Sequence, residues 1–243
     1  MVSDRSLRLD GIVFDKDGTL FDFAATWEAW AKAFLDRVCD GARDRAMDLG
    51  RLVGFDYEMQ CFAPDSVVIA GTPEEAARAL LPGLPGMDLA TLIGILNEEA
   101  ARAPQSEAVP LRPFLQGLRD AGLRLGVATN DAEAPARSHL DSAGVSGFFD
   151  FIAGFDSGHG GKPAPGQLLA FLEATGTAPD RVAMVGDSAH DLVAGRAAGM
   201  QTIGVLTGMA EAADLVALAD VVLPDIGHIP AWLGLAAGTV PAA

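Results

Sequence analysis

Leu9-Asp10-Gly11-Ile12-Val13-Phe14-Asp15-Lys16-Asp17-Gly18-Thr19 is a short apolar run closed by a polar turn. The β-branched pair Ile12-Val13 inside it reads as a buried strand, which hands two carboxylates to the loop that follows. Asp15 and Asp17 stand two residues apart, so extended geometry carried into the turn would send both side chains to the same side. Gly18 supplies a permissive backbone there, and Thr19 can hydrogen-bond within the turn. A calcium loop would need a further oxygen ligand before the glycine and a Glu beyond it, and the sequence has neither. Taken alone, the segment is also compatible with a purely structural turn.

Working outward, similar short runs recur at 123–128, 149–153, 182–185, 202–206 and 220–223. Helical patterns over 113–121, 132–143, 165–175 and 189–198 lie between them, and Gly122, Gly144, Gly176 and Gly199 fall where each helix should stop. Strand and helix therefore alternate from about residue 113 onward, which predicts an α/β chain with a doubly wound, mainly parallel sheet. Ligands of such sheets bind at the carboxyl ends of the strands. The stretch 22–109 breaks the rhythm. It carries helix-like runs at 26–38, 42–52, 72–81 and 89–102, with 66–70 ambiguous between strand and helix. We expect a core of 1–21 plus 110–243 and a mostly helical insert of roughly 85 residues, large enough to be a small domain.

Half of the 243 residues are hydrophobic, which excludes intrinsic disorder. The 33 acidic and 17 basic side chains give a charge of −16, which argues against nucleic-acid or anionic-membrane partners. An anionic substrate would then need something local to reverse the sign of the field. Cys39 and Cys61 are too few for a disulfide scaffold and are expected to be buried, reduced thiols. No apolar run approaches the ~18 residues of a membrane span, and the opening residues lack a signal-peptide core. The expectation is a soluble, cytoplasmic protein.

A second acidic pair, Asp187 and Asp191, follows the run 182–185. A helix starting near Ser188 would put both on one face, where like charges cost a few tenths of a kcal/mol and more if partly buried. A cation would explain them; alternatively Asp187 or Ser188 only caps the helix while Asp191 is solvated. Four carboxylates from two strand ends fit a hard divalent ion such as magnesium, which would turn an acidic cleft into a phosphate site. Thr129, followed by Asn130 at the end of 123–128, offers a hydroxyl and nearby N–H groups for phosphoryl oxygens, unless it is an ordinary strand end. Lys162 sits in a proline-stiffened loop that could aim its ammonium, although a lone loop lysine is commonly surface charge. His190 reads as a solvated helix residue and His159 as a surface residue that could reach the substrate. Trp27 and Trp30 have helical spacing and read as core of the insert ahead of a substrate platform.

The order Asp15-Lys-Asp-Gly-Thr19, Thr129 in VATN, Lys162 in GKPAP, and Gly186-Asp-Ser-Ala-His-Asp191 resembles the four motifs of the haloacid dehalogenase-like hydrolase superfamily. The run 191–205 is similar to its phosphoglycolate phosphatase-like branch. The resemblance implies a Rossmann-like core with a helical cap after the first strand. It also implies that Asp15 attacks phosphorus to form an aspartyl-phosphate and that Asp17 protonates the leaving alcohol, then activates water. Magnesium would be bound by Asp15, the Asp17 carbonyl and Asp187, with Asp191 holding the ion's waters, while Thr129, Asn130 and Lys162 would bind the phosphoryl group. The substrate would be a small phosphorylated metabolite, phosphoglycolate-like or a sugar phosphate. A phosphomutase of the β-phosphoglucomutase type is the alternative, and a catalytically inactive binding protein a further one.

Relatives with other chemistry differ at identifiable positions. The superfamily's dehalogenases lack an acid matching Asp17, and the P-type transport ATPases carry a Thr there. Lys16 departs from the apolar residue common between the two aspartates; it is expected to point away from Asp15 without loss of activity. Asp22-Phe23 replaces a frequent Asp-Ser near the cap hinge. Neither the oligomeric state nor the cap residues that set specificity are legible.

Overall fold

A computed structural model describes residues 9–235 of the chain. Strand β1 (Gly11–Phe14) leads into a helical insert: α1 (Phe23–Val38), α2 (Arg43–Arg51), a small hairpin of β2 (Phe55–Asp56) and β3 (Cys61–Phe62), α3 (Val67–Ala70), α4 (Pro73–Leu80) and α5 (Leu89–Ala100). The alternating part follows as α6 (Leu111–Asp120), β4 (Arg124–Ala128), α7 (Glu133–Ser142), β5 (Phe151–Ala153), α8 (Gly166–Thr175), β6 (Val182–Gly186), α9 (Ala189–Ala197), β7 (Gln201–Val205), α10 (Ala212–Leu215), β8 (Val221–Leu223) and α11 (Ile229–Trp232).

The six long-range strands form one sheet in the order β5-β4-β1-β6-β7-β8, parallel throughout. β1 is central, and its four residues are buried on both sides, as expected for a parallel strand covered by helices on each face. Period-two alternation divides the apolar side chains between two layers. Ile12 and Phe14 join Leu125, Val127, Ala183 and Val185 under α6 and α7, whereas Val13 joins Met184 and Phe171 under α8 and α9. This is the doubly wound fold the alternation predicts and the Rossmann-like core the resemblance implies. Gly122, Gly144, Gly176 and Gly199 all end helices in the left-handed region, at φ between 67° and 86°.

The helical insert has its own apolar cluster, built on Trp27, Trp30, Phe34, Phe55, Leu80 and Leu92, which forms a cap over the carboxyl ends of the strands. The ambiguous segment 66–70 resolves as helix. Ser66 caps it by accepting from the Val68 N–H at 3.2 Å while donating to the Val53 carbonyl at 2.5 Å, and that local bonding overrides the β-branched composition. The two linkers joining cap and core pair with each other: Asp22 N–H donates to Ser106 O at 2.8 Å, Ala108 N–H to Leu20 O at 3.0 Å, and Phe21 bridges Glu107 in antiparallel fashion. Asp22 also caps α1, its carboxylate accepting from Ala25 N–H.

Cys39 is buried as expected, but Cys61 is exposed on the cap hairpin, and both are free. Among the described residues no helix is long and apolar enough to cross a membrane.

Candidate active site

The sheet register brings three motifs to one edge. Phe14 is paired with Val127 on one side and Val185 on the other, so Asp15, Thr129 and Asp187 emerge from adjacent strands β1, β4 and β6. Lys162 enters from the loop between β5 and α8, with its Nζ 2.7 Å from Asp15 Oδ1 and 2.6 Å from Asp191 Oδ1. Asp15, Asp187 and Asp191 each present a carboxylate oxygen to one spot, all within 4.8 Å of one another. Lys162 is therefore not surface charge.

Asp191 is fully buried, not solvated. One of its oxygens, Oδ2, accepts from Ser188 N–H at 3.0 Å and Ser188 Oγ at 2.6 Å, which closes a capping box at the start of α9. The other meets Lys162, so the residue both caps the helix and faces the site. Asp187 is approached by the Thr19 hydroxyl at 3.4 Å and sits between two glycines. A Cβ on Gly18 would stand 2.5 Å from its carboxylate, and one on Gly208 only 1.7 Å, so the backbone here closes around Asp187 in a way no side chain permits.

Thr129 is buried at the cleft wall, its hydroxyl accepting from Asp131 N–H at 3.0 Å. Asn130 also lines the cleft, but its amide is committed. Nδ2 donates to the carbonyls of Ala70 in the cap and Lys162 in the core, and Oδ1 accepts from Lys162 N–H at 2.7 Å. Asn130 thus fixes the lysine loop and ties it to α3. Asp17 lines the cleft too, yet its carboxylate stands apart from the three-acid cluster and pairs with Lys16 Nζ at 2.7 Å.

Lys16 is the residue whose part the sequence conceals. It is fully buried, and its ammonium meets Asp17, Asp131 Oδ2 at 3.2 Å and His139 Nδ1 at 2.9 Å, 5.5 Å from the centre of the Trp27 ring. His139 Nε2 is 2.6 Å from the Ala100 carbonyl at the end of α5, which assigns the proton to Nε2 and leaves Nδ1 to accept from Lys16. Asp131 and His139 carried no motif; the unusual charge at position 16 was the one available signal. His190 is half-buried and lines the cleft, while His159 is exposed and rests near Phe151. Trp27 and Trp30 are at once cap core and cleft wall.

The electrostatics follow from burying five acids near two lysines. Burial pushes Asp15 up to about 7 against the pull of Lys162, with Asp191 and Asp17 adding to the rise. Burial, then Asp191 and Asp15, raise Asp187 well above the usual carboxylate range. Burial works to lower Lys162, but Asp15 and Asp191 overcome it and hold the ammonium charged. Lys16 behaves alike through Asp17 and Asp131, while burial pushes Asp131 up to about 6 and His139 down to about 4. The one ammonium at the three-acid cluster leaves a deficit of positive charge. All-oxygen donors, two or three carboxylates and room for phosphate suit a small hard dication such as magnesium, so the residues fit that group.

A parallel, doubly wound sheet that gathers these acids and a lysine beneath an inserted helical cap defines a hydrolase of the haloacid dehalogenase type. Over residues 9–199 the chain matches the haloacid dehalogenase-like hydrolase family, and it belongs to that family. It is 30% identical over 203 residues to a phosphoglycolate phosphatase of Aquifex aeolicus, covering 81% of this chain and 84% of that protein. It is 28% identical over 198 residues to the pyrophosphatase PpaX of Bacillus velezensis, covering 82% and 83%. A β-phosphoglucomutase from Clostridium difficile shares the fold, with a TM-score of 0.65 at 16% identity over 93% of this chain and 97% of that one.

Proposed function

We propose that the protein is a magnesium-dependent phosphatase of small phosphate monoesters, working through an aspartyl-phosphate. The observation that carries this reading is the convergence of Asp15, Lys162, Asp187 and Asp191, from three separate segments, around one point at the strand ends.

Asp15 attacks phosphorus in line, a P–O bond forms to its carboxylate, and the bond to the leaving alcohol breaks. Asp17 gives that oxygen a proton through Oδ2, the oxygen Lys16 does not hold, and then takes one from the water that hydrolyses the aspartyl-phosphate. Lys162 and Thr129, with Asn130 fixing the lysine loop, bind the phosphoryl oxygens and offset charge as it spreads over them. Asp15, the Asp17 carbonyl, Asp187 and Asp191 would hold magnesium, the last through water. The ion, when bound, neutralises the acidic cluster and the phosphoryl charge together. The cap over 22–109 acts as the domain that covers the cleft and selects the substrate, with 1–21 and 110–243 as the catalytic core.

The test is a panel of phosphorylated metabolites assayed for phosphate release with magnesium and again with chelator, beside the Asp15→Asn variant. Turnover that needs the ion and disappears by more than about 1,000-fold in the variant is expected. Retained activity in a well-folded Asp15→Asn protein removes the nucleophile assignment. Isomer formation in place of phosphate release would instead identify a phosphomutase, and silence of the whole panel an inactive binding protein.

A further inference from the structure

The chemistry of the leaving group is written on the cap side of the cleft, and the inference drawn from it rests on the phosphatase reading above. The cleft encloses about 650 Å³, counting its mouth open to solvent. Its core side is acidic. Its cap side is largely apolar, with Phe23, Trp27 and Trp30 from α1, Val68 and Ile69 from α3, and Leu96 from α5, and its polar residues, Thr72 and Asn97, are uncharged. Seven basic residues lie between 22 and 109, and none of them lines the cleft. Six of them pair elsewhere, Arg37 with Glu98 and Glu99, Arg43 with Glu58, Arg51 with Asp48, Arg78 with Glu74, Arg102 with Glu99, and Lys32 with Asp36.

Among the lining residues the basic ones are Lys162, already held by Asp15 and Asp191, and His190 on α9. Lys16 faces Asp17 and Asp131. A substrate whose leaving group bears a carboxylate or a second phosphate would place that charge against indoles and branched aliphatics, among five carboxylates. Burying an unpaired charge there is strongly unfavourable. The leaving oxygen departs toward Asp17, and Asp17 stands beside Trp27, since Lys16 Nζ touches the one and lies over the ring of the other. The neutral polar groups on this wall are those of Thr72 and Asn97.

We infer that the preferred substrates are phosphate monoesters of uncharged, largely apolar alcohols, aromatic or branched aliphatic, carrying at most a neutral hydrogen-bond acceptor. Phosphoglycolate and pyrophosphate, the substrates in the names of the two relatives, are disfavoured by the same wall.

The full chain is assayed with magnesium on benzyl phosphate, isopentyl phosphate, ethyl phosphate, phosphoglycolate and pyrophosphate. The organic esters have leaving alcohols of broadly similar basicity, so their ratios read the wall and not intrinsic reactivity. Benzyl and isopentyl phosphates should exceed both ethyl phosphate and phosphoglycolate in kcat/KM by about 10-fold or more. Phosphoglycolate or pyrophosphate matching benzyl phosphate would overturn the inference and leave the phosphatase reading intact. No turnover of any of the five would bring both down. A binding measurement is independent of turnover: in Asp15→Asn, benzylphosphonate should quench tryptophan fluorescence at about 10-fold lower concentration than phosphonoacetate. Equal or reversed affinities would count against the proposal. Ile69→Lys, at a half-buried position, should shift the benzyl-to-phosphoglycolate ratio by about 10-fold toward phosphoglycolate; an unmoved ratio in a folded variant would speak against the wall.

Discussion

Lys16 shows how much one side chain can redirect. A lysine between two aspartates is expected only to point away from Asp15, and here it is enclosed by Asp17, Asp131 and His139. Removing it strands Asp131 in the interior without its cation. Lys16→Met, which keeps most of the volume, should therefore cost about 3–5 kcal/mol of stability, read from the denaturant midpoint. A loss below about 1 kcal/mol would mean that water reaches the acids. His139 adds a pH dependence of opposite origin. Its folded pKa lies near 4, below the unfolded value of 6.5, because burial and then Lys16 disfavour its charge. The unfolded chain thus binds the extra proton between pH 6.5 and 4. Stability from this group is complete above 6.5 and is lost as pH falls toward 4, by up to about 3 kcal/mol. Urea unfolding of wild type and His139→Gln in chelator should show the gap between them shrinking over that window; a constant gap would contradict the buried, neutral imidazole.

Individual elements were legible to the extent that their signals were local. Each long-range strand lies within two residues of its sequence reading, because apolar runs bounded by Gly or polar turns leave little freedom for a buried parallel strand. The segment 66–70 escaped because its outcome depends on Ser66 reaching the carbonyl of Val53, a contact that no window contains. The loop after β7 escaped for the same reason. Thr207 donates to the Gly18 carbonyl at 2.6 Å and Gly208 packs on Asp187, yet neither belongs to a recognisable motif. Gly208→Ala drives a methyl group into the Asp187 carboxylate. Magnesium affinity, followed by calorimetric titration, should fall about 10-fold or more while the secondary structure is kept. Unchanged affinity would show that Asp187 is free to move aside.

Across the whole molecule, the strand-end motifs foretold where the site would form, since a parallel sheet gathers its loops at one edge whatever their separation in sequence. What they left unspecified was the cap side of the cleft, where six apolar side chains from three helices carry the information and none is distinctive alone. The pairing of the two linkers has a mechanical outcome. Bonded together through Asp22, Ser106, Leu20 and Ala108, they act as a single pivot, which permits the cap to swing along one arc but resists shear and twist. Spin labels placed on α2 and α9, and on α4 and α9, should report distances that rise and fall together when a phosphate analogue is added. Uncorrelated changes would mean that the strands of the pivot part, and that entry to the site is governed by local fraying and not by the motion of a door.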